Sequence, residues 1–158
     1  MIAIRKSYLM TPGPTPVPPE VLLAQAQPMI HHRTPKFSEI LAKASEDLKY
    51  IFETKNDVLT FACSGTGVME SAVVNLFSAG DKVIVCSNGK FGQRFDQLAA
   101  AYGLNAISLE YDWDTVVEPA DIARELKANP DIKGVLVVQS ETSTGVLNDV
   151  KAIGEIVK

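Results

Sequence analysis

The sequence predicts an α/β fold in which helices cover both faces of a mostly parallel sheet. Short apolar segments alternate with longer helical patterns along the 158 residues. The apolar segments show almost no alternation of apolar and polar side chains, as expected for strands that are buried on both faces. The repeated order of strand then helix indicates parallel strands joined by helical crossovers.

Composition narrows the class of protein. Hydrophobic residues make up 46% of the chain and charged residues 22%, which is typical of a globular protein rather than a disordered one. A net charge of -4 without any basic run argues against a nucleic-acid partner. No apolar stretch is long enough to span a bilayer, and the first residues lack the apolar core of a signal peptide. We therefore expect a cytoplasmic protein without membrane contact.

Cysteine and histidine usage argues against a disulfide scaffold and against a metal site. Cys63 and Cys86 are too few for such a scaffold. Each lies at the end of a predicted strand, so both are expected to be buried thiols, and a reactive role for Cys63 is the less favoured interpretation. His31 and His32 are adjacent and share no helix or strand face, and no Cys/His spacing typical of zinc is present.

Residues 1–19 are expected to form an N-terminal arm. Prolines crowd the segment from Thr11 to Pro19 and keep it extended and stiff. This arm either tethers the N-terminus or lines a site, where Gly13 would permit close approach of the backbone to a ligand.

Residues 20–158 form the predicted main domain. Helices are predicted at about 21–27, 36–53, 68–77, 93–102, 118–128 and from 150 onward. Strands are predicted at 58–62, 82–86, 106–109 and 134–138. Between the first two helices, Arg33 is interpreted either as an anion contact or as part of a solvated loop.

Three polar loops follow predicted strands, at 63–67, 87–94 and 139–148. In a parallel sheet, ligands bind beyond the carboxyl ends of the strands. The first loop is a tight glycine turn from a strand into a helix, which aims backbone N–H groups and the positive end of a helix dipole at an anion, most often a phosphate. The alternative is a plain turn that uses glycine for its freedom. The glycine motifs of dinucleotide and nucleoside triphosphate sites are missing.

The other two loops offer groups suited to a flat ring. Phe91 presents an aromatic face, and Thr142, Ser143 and Thr144 supply hydroxyl groups. Together with a phosphate at the first loop, these groups describe a phosphorylated heteroaromatic cofactor. Taken singly, Phe91 could instead be a hydrophobic residue that caps its helix, and the hydroxyl groups could form a local turn network.

Four motifs lie along the chain, namely Thr11-Pro-Gly-Pro-Thr-Pro-Val-Pro-Pro-Glu20, Ser64-Gly-Thr-Gly-Val-Met-Glu70, Asn88-Gly-Lys-Phe-Gly-Gln-Arg94 and Glu141-Thr-Ser-Thr-Gly-Val-Leu-Asn148. Together they resemble those of class V aminotransferases, most closely the branch of alanine–glyoxylate and serine–pyruvate aminotransferases. The resemblance runs from about residue 8 to the end of the chain, with the motifs in family order and spacing.

This resemblance implies the type I aminotransferase fold, pyridoxal 5′-phosphate as the cofactor, and a homodimer for the full-length protein. By the same resemblance, Ser64, Gly65 and Thr66 match the phosphate-binding turn. Phe91 takes the place of the aromatic residue that stacks on the pyridine ring, which is commonly a Trp in some relatives. Thr142 matches a hydroxyl residue near the 3-oxygen of the ring.

The family's chain is more than twice as long as this one. Further along, the family has an Asp that pairs with the pyridine nitrogen, the Lys that forms the Schiff base, and an Arg for the substrate carboxylate. No Lys of residues 1–158 matches that position, so the large domain is expected to be incomplete here, without a catalytic residue, and inactive alone. Gly13, in the loop that approaches the substrate, is the expected substrate contact.

The resemblance thus implies the N-terminal part of an enzyme that moves an amino group from a small amino acid, such as alanine or serine, to a 2-oxo acid, such as glyoxylate or pyruvate. Another class V enzyme, a lyase or a desulfurase, is one alternative with the same cofactor. A non-catalytic α/β module that binds an anion is the other.

Overall fold

A computed structural model describes residues 8–158, which fall into two compact units divided between Ala62 and Cys63. The first seven residues of the predicted arm, including the segment judged to lack a signal peptide, lie outside the described residues. The division of the chain at residue 19 into an arm and a main domain stays a prediction. No helix within residues 8–158 is both long and apolar enough to cross a membrane.

Two helices make up most of the first unit, α1 at Pro19–Gln25 and α2 at Pro35–Ile51. Each begins with a proline, which suits the first turn because its missing N–H would have no partner there. The Thr34 hydroxyl caps α2 by accepting a hydrogen bond from the Phe37 N–H. Both predicted helices are confirmed, each with ends about two residues early.

The predicted strand at 58–62 is wrong. The segment is irregular, and Leu59 and Phe61 are 74% and 59% exposed. A strand persists only where a neighbour completes its hydrogen-bond ladder, and no segment among the described residues pairs with this one. The apolar sequence alone therefore does not make a strand here.

The second unit is built on a parallel sheet of three strands, β1 at Lys82–Ser87, β2 at Asn105–Glu110 and β3 at Ile132–Leu136. The sheet order is β2-β1-β3, so β1 is central and pairs with both neighbours. The helices of this unit are α3 at Gly65–Leu76, α4 at Lys90–Ala101, α5 at Pro119–Ala128 and α6 at Val150–Val157. The predicted alternation of strands and helices is confirmed in this unit.

Alternate residues of β1 enter two separate hydrophobic clusters. Val83 and Val85 pack with residues of α3 and α4, whereas Ile84 and Cys86 pack with residues of α5 and α6. The central strand is therefore buried on both faces, which explains its continuous apolar sequence. The predicted helical cover on both faces of a parallel sheet is confirmed.

Three smaller expectations need correction. Helix α4 starts at Lys90, three residues earlier than predicted, so Phe91 lies in its first turn and not in a loop. Residues 139–148 are not all loop, because they contain an antiparallel hairpin of β4 at Ser140–Glu141 and β5 at Val146–Leu147. Cys63 is exposed, since the strand that was to bury it does not form.

Candidate functional site

A cavity of about 380 Å³ lies beyond the carboxyl ends of β1 and β3. Its lining combines apolar side chains with the hydroxyl groups of Ser140 and Thr142. The other lining residues are Gly65, Met69, Phe91, Phe95, Val137 and Val138. Three residues predicted from the sequence to bind one ligand, namely Gly65, Phe91 and Thr142, therefore line the same cavity. They come from α3, from α4 and from the residue that follows β4.

The N-terminus of α3 borders this cavity and keeps backbone donors free. Within residues 8–158, the N–H groups of Gly65 and Thr66 donate to no protein atom, while the Gly67 N–H donates to the Ser64 carbonyl at 2.9 Å. Ser64 stands at the N-cap position, yet its hydroxyl does not cap the helix. A Cβ at Gly67 would lie 2.9 Å from the Cβ of Cys63, so the close turn requires glycine at this position.

Arg94 brings a positive charge to the same helix end. Its Nη1 donates a hydrogen bond to the Thr66 hydroxyl at 3.1 Å. The side chain is half-buried, and no carboxylate of the described chain lies within ion-pair distance of it. A guanidinium group without an acidic partner at the positive end of a helix is an arrangement suited to an anion.

The N-terminus of α4 is, by contrast, already occupied. Glu141 is fully buried, and its Oε2 accepts hydrogen bonds from the N–H groups of Phe91 and Gly92, each at 3.0 Å. Its Oε1 accepts from the Ser143 hydroxyl at 2.6 Å and from the Ser143 N–H at 3.2 Å. The Ser143 hydroxyl in turn accepts from the Lys90 N–H at 2.9 Å. Loop side chains thus satisfy the first turn of α4.

Close packing around this carboxylate depends on two glycines. A Cβ at Gly89 would lie 2.4 Å from the Cγ of Glu141. A Cβ at Gly92 would lie 2.7 Å from the Cα of Ser87, a backbone atom that cannot move aside easily. Both glycines therefore let α4 start directly against the end of β1.

Two buried asparagines fix the rest of the loop. The Asn88 amide donates to Asn148 Oδ1 at 3.0 Å, and the Asn148 amide donates to the Val138 carbonyl at 2.7 Å. Asn148 Oδ1 also accepts from the Val117 N–H at 2.9 Å. Because buried polar groups are costly without partners, this network fixes residues 139–148 relative to the sheet.

The hydroxyl groups of the third loop divide between two roles. Ser143 and Thr144 bond to Glu141, which confirms for these two residues the alternative of a local turn network. In the described part of the chain, no such bond involves the Thr142 hydroxyl, and Thr142 lines the cavity. Gly13 belongs to the first unit, where it is exposed, and its role in substrate binding stays a prediction.

Sequence reasoning gave no role to Arg94 or Glu141, although both stand in the quoted motifs. Arg94 lies three residues after Phe91 and therefore on a neighbouring face of α4. That spacing could have indicated Arg94 if the start of α4 had been placed at Lys90. No pattern in the sequence indicates that Glu141 reaches a helix end 50 residues away.

The chain matches the family model described as "Aminotransferase class-V" over residues 7–158. It is 44% identical over 155 residues to the soluble hydrogenase 42 kDa subunit of Anabaena cylindrica, covering 97% of this chain and 40% of that protein. It is 35% identical over 151 residues to the serine–glyoxylate aminotransferase of Methylorubrum extorquens, and the match covers 94% of this chain and 38% of that protein.

The structure is similar to that of an aspartate aminotransferase of subgroup IV from Thermus thermophilus. The TM-score is 0.87 with 40% sequence identity, and the match covers 95% of this chain and 42% of that one. The chain thus spans about 40% of the length of the curated relatives it matches.

Proposed function

Because this chain belongs to the class V aminotransferase family, we propose that its cavity binds pyridoxal 5′-phosphate and that the whole protein transfers amino groups. The predicted family is confirmed, as is the type I aminotransferase fold. The observation that carries the proposal is that an open helix N-terminus, an aromatic ring and a hydroxyl group border one cavity.

The N-terminus of α3 fits a phosphate group. The N–H groups of Gly65 and Thr66 and the hydroxyl of Ser64 supply donors, and Arg94 supplies a positive charge next to Thr66. Hydrogen bonds from backbone N–H groups combined with a helix dipole favour a dianion at this place. Arg94 adds a contact that the sequence did not predict.

The two helix ends support one orientation of the cofactor. Helix α4 cannot accept the phosphate, because the Glu141 carboxylate already receives the N–H groups of Phe91 and Gly92. A second anion there would also be repelled by that carboxylate. The phosphate is therefore assigned to α3 and the ring to the cavity between Phe91 and Thr142.

The remaining lining suits a flat ring with polar substituents. Phe91 is 37% exposed and can stack on a ring in the cavity. Phenylalanine keeps a flat face but lacks the indole N–H donor of tryptophan. The Thr142 hydroxyl is available to the 3-oxygen of the ring, and Val137 and Val138 supply apolar contacts.

When it is bound, the cofactor supplies a pyridine ring that draws electrons from the α-carbon of an amino acid. The residues of this chain would bind and orient the cofactor. Ser64, Gly65, Thr66 and Arg94 would hold the phosphate, and Phe91 and Thr142 would hold the ring. Phe91 also shields one face of the ring from water. By resemblance to the family, proton transfer at the substrate is proposed for a Lys that no Lys of residues 1–158 matches.

The substrates and the assembly are proposed from the family. A relative is named serine–glyoxylate aminotransferase, so we propose a small amino acid of the alanine or serine type as donor and glyoxylate or pyruvate as acceptor. Gly13 is proposed to approach the substrate. We propose a homodimer as the functional form of the full-length protein and the cytoplasm as its location.

Cofactor binding is tested by titrating the purified protein with pyridoxal 5′-phosphate, with pyridoxal and with inorganic phosphate, while circular dichroism checks that it is folded. We expect pyridoxal 5′-phosphate to bind more tightly than pyridoxal, and inorganic phosphate to compete. Equal binding of the two pyridoxal compounds by folded protein would contradict the proposal, and no binding of either would favour a non-catalytic module.

Activity is tested on the whole protein with serine and glyoxylate. We expect glycine and hydroxypyruvate to form in equal amounts. Formation of pyruvate and ammonia from serine without an acceptor would indicate a lyase, and release of sulfur from cysteine would indicate a desulfurase.

A further inference from the structure

Glu141 is a buried carboxylate whose oxygens are satisfied by hydrogen bonds. It is 0% exposed, and no Lys or Arg of the described chain forms an ion pair with it. Four donors surround it, two backbone N–H groups of α4 and the N–H and hydroxyl of Ser143. Burial of a carboxylate is unfavourable unless its oxygens are satisfied in this way.

Its neighbours give this carboxylate a role beyond stability. Glu141 is covalently joined to Thr142, and its Oε2 accepts a hydrogen bond from the N–H of Phe91. Phe91 and Thr142 both line the cavity. The carboxylate thus bonds to the backbone of one residue that lines the cavity and lies next in the chain to another.

We propose that Glu141 is a positioning residue that holds Phe91 and Thr142 at a fixed separation around the ring of the bound cofactor. This inference rests on the proposed function, since the ring is that of pyridoxal 5′-phosphate. Glu141 does not touch the cofactor itself. It acts through the Phe91 backbone on one side of the cavity and through Thr142 on the other.

A carboxylate is required because each of its oxygens accepts hydrogen bonds. In Glu141→Gln, which has nearly the same shape, the amide NH₂ would face either the N–H groups of α4 or the N–H of Ser143. Donor would then oppose donor, and the favourable interaction between the negative charge and the α4 dipole would be lost. Glu141→Asp keeps the charge but is one methylene shorter, so it cannot reach both partners.

The first test compares two ligands on the purified protein. We expect Glu141→Gln to weaken binding of pyridoxal 5′-phosphate about tenfold, because the Phe91 ring and the Thr142 hydroxyl would no longer be held in place for stacking and hydrogen bonding. Binding of inorganic phosphate at α3 should stay unchanged. The near-ultraviolet circular dichroism of the bound cofactor should also fall, because its ring is held less firmly.

The matched control is Ile122→Ala, a core change in α5 that lowers thermal stability at a residue outside the cavity lining. We expect it to lower the melting temperature and to leave unchanged the ratio of the affinity for pyridoxal 5′-phosphate to that for inorganic phosphate. If Glu141→Gln also left that ratio and the dichroism unchanged while lowering the melting temperature, Glu141 would be structural only and the inference would be overturned.

A double-mutant cycle tests the route of the effect. If Glu141 acts through Phe91, Glu141→Gln should add little to the loss already caused by Phe91→Ala. Full additivity of the two losses would contradict that route.

Hydrogen exchange in the absence of ligand separates this inference from the proposed function. We expect Glu141→Gln to speed exchange of the N–H groups of residues 90–92, which the carboxylate and Ser143 hold. Unchanged exchange would overturn the inference while the proposed function stood. Failure of the folded wild-type protein to bind pyridoxal 5′-phosphate would overturn both.

Discussion

Arg94 and Thr66 join two helices that are separated in the sequence. The guanidinium Nη1 of Arg94, on α4, donates to the hydroxyl of Thr66, on α3, at 3.1 Å. The contact places a positive charge beside the N–H groups of Gly65 and Thr66, which donate to no atom of residues 8–158. Anion affinity at this helix end should therefore depend on the Arg94 side chain as well as on the glycine turn itself.

Replacement of Arg94 is the first test of this dependence. We expect Arg94→Met to weaken binding of inorganic phosphate and of pyridoxal 5′-phosphate about tenfold, because a charged hydrogen-bond donor is lost. The affinity of Arg94→Lys for both ligands should lie between those of the wild type and of Arg94→Met, since lysine keeps the charge but lacks the planar guanidinium group. Arg124→Met, which removes an exposed ion pair with Asp121, is the control and should bind as wild type. Calorimetric titration measures all three, and unchanged phosphate binding by Arg94→Met would argue against a charge contact.

Replacement of Phe91 should distinguish the contribution of the ring to cofactor affinity from that of the phosphate. We expect Phe91→Ala to reduce affinity for pyridoxal 5′-phosphate by about 1 kcal/mol, the scale of an aromatic stacking contact, and to leave inorganic phosphate binding unchanged. Phe91→Trp should preserve cofactor binding, since it keeps a flat face. Fluorescence titration with both ligands measures the difference. Equal loss for both ligands would mean that Phe91 supports the helix end instead of the ring.

Two glycine substitutions should change stability in opposite directions. Gly89→Ala places a Cβ 2.4 Å from the Cγ of Glu141, and such overpacking destabilises by about 1–3 kcal/mol. The new Cβ of Gly154→Ala, in α6, meets no atom of residues 8–158 within 4 Å. This substitution should stabilise by about 0.5–1 kcal/mol, because alanine favours the helix interior. Urea unfolding followed by circular dichroism measures both, and similar effects of the two substitutions would refute the packing argument.

The two cysteines should differ strongly in reactivity. Burial raises the pKa of the Cys86 thiol to about 12, with a smaller effect from the charge of Asp96. At pH 9, where an ordinary thiol is half ionised, Cys86 therefore stays protonated and unreactive, whereas Cys63 is exposed. We expect iodoacetamide to modify Cys63 alone in the folded protein and both cysteines in urea. Mass spectrometry of the alkylated protein identifies the sites, and rapid modification of Cys86 in folded protein would contradict its burial.

The strands of the second unit were predictable because burial on both faces leaves a direct mark on the sequence. The run from Lys82 to Cys86 is apolar at each position after the first, and the structure places those positions in two clusters. The run at 58–62 is also nearly continuous in apolar residues. It forms no strand, because pairing depends on a neighbour and not on the segment's own residues.

The site was predictable in its outline and not in its contacts. Glycine turns and the positions of Phe91 and Thr142 are local features that a motif can indicate. The hydrogen bond from the Phe91 N–H to Glu141 spans 50 residues, and the one from Arg94 to Thr66 spans 28. Such pairs depend on how α3, α4 and the loop after β3 come together, which no local pattern specifies.

The buried amide of Asn88 has a consequence for the chemical lifetime of the protein. An asparagine followed by glycine ordinarily deamidates fast, because the next backbone nitrogen can attack the side-chain carbonyl. Here Asn88 is fully buried, and its amide donates both to the Thr115 carbonyl and to Asn148. The side chain is therefore kept from the geometry of that attack. Deamidation of Asn88 to aspartate should therefore be slow as long as these hydrogen bonds hold the side chain in place.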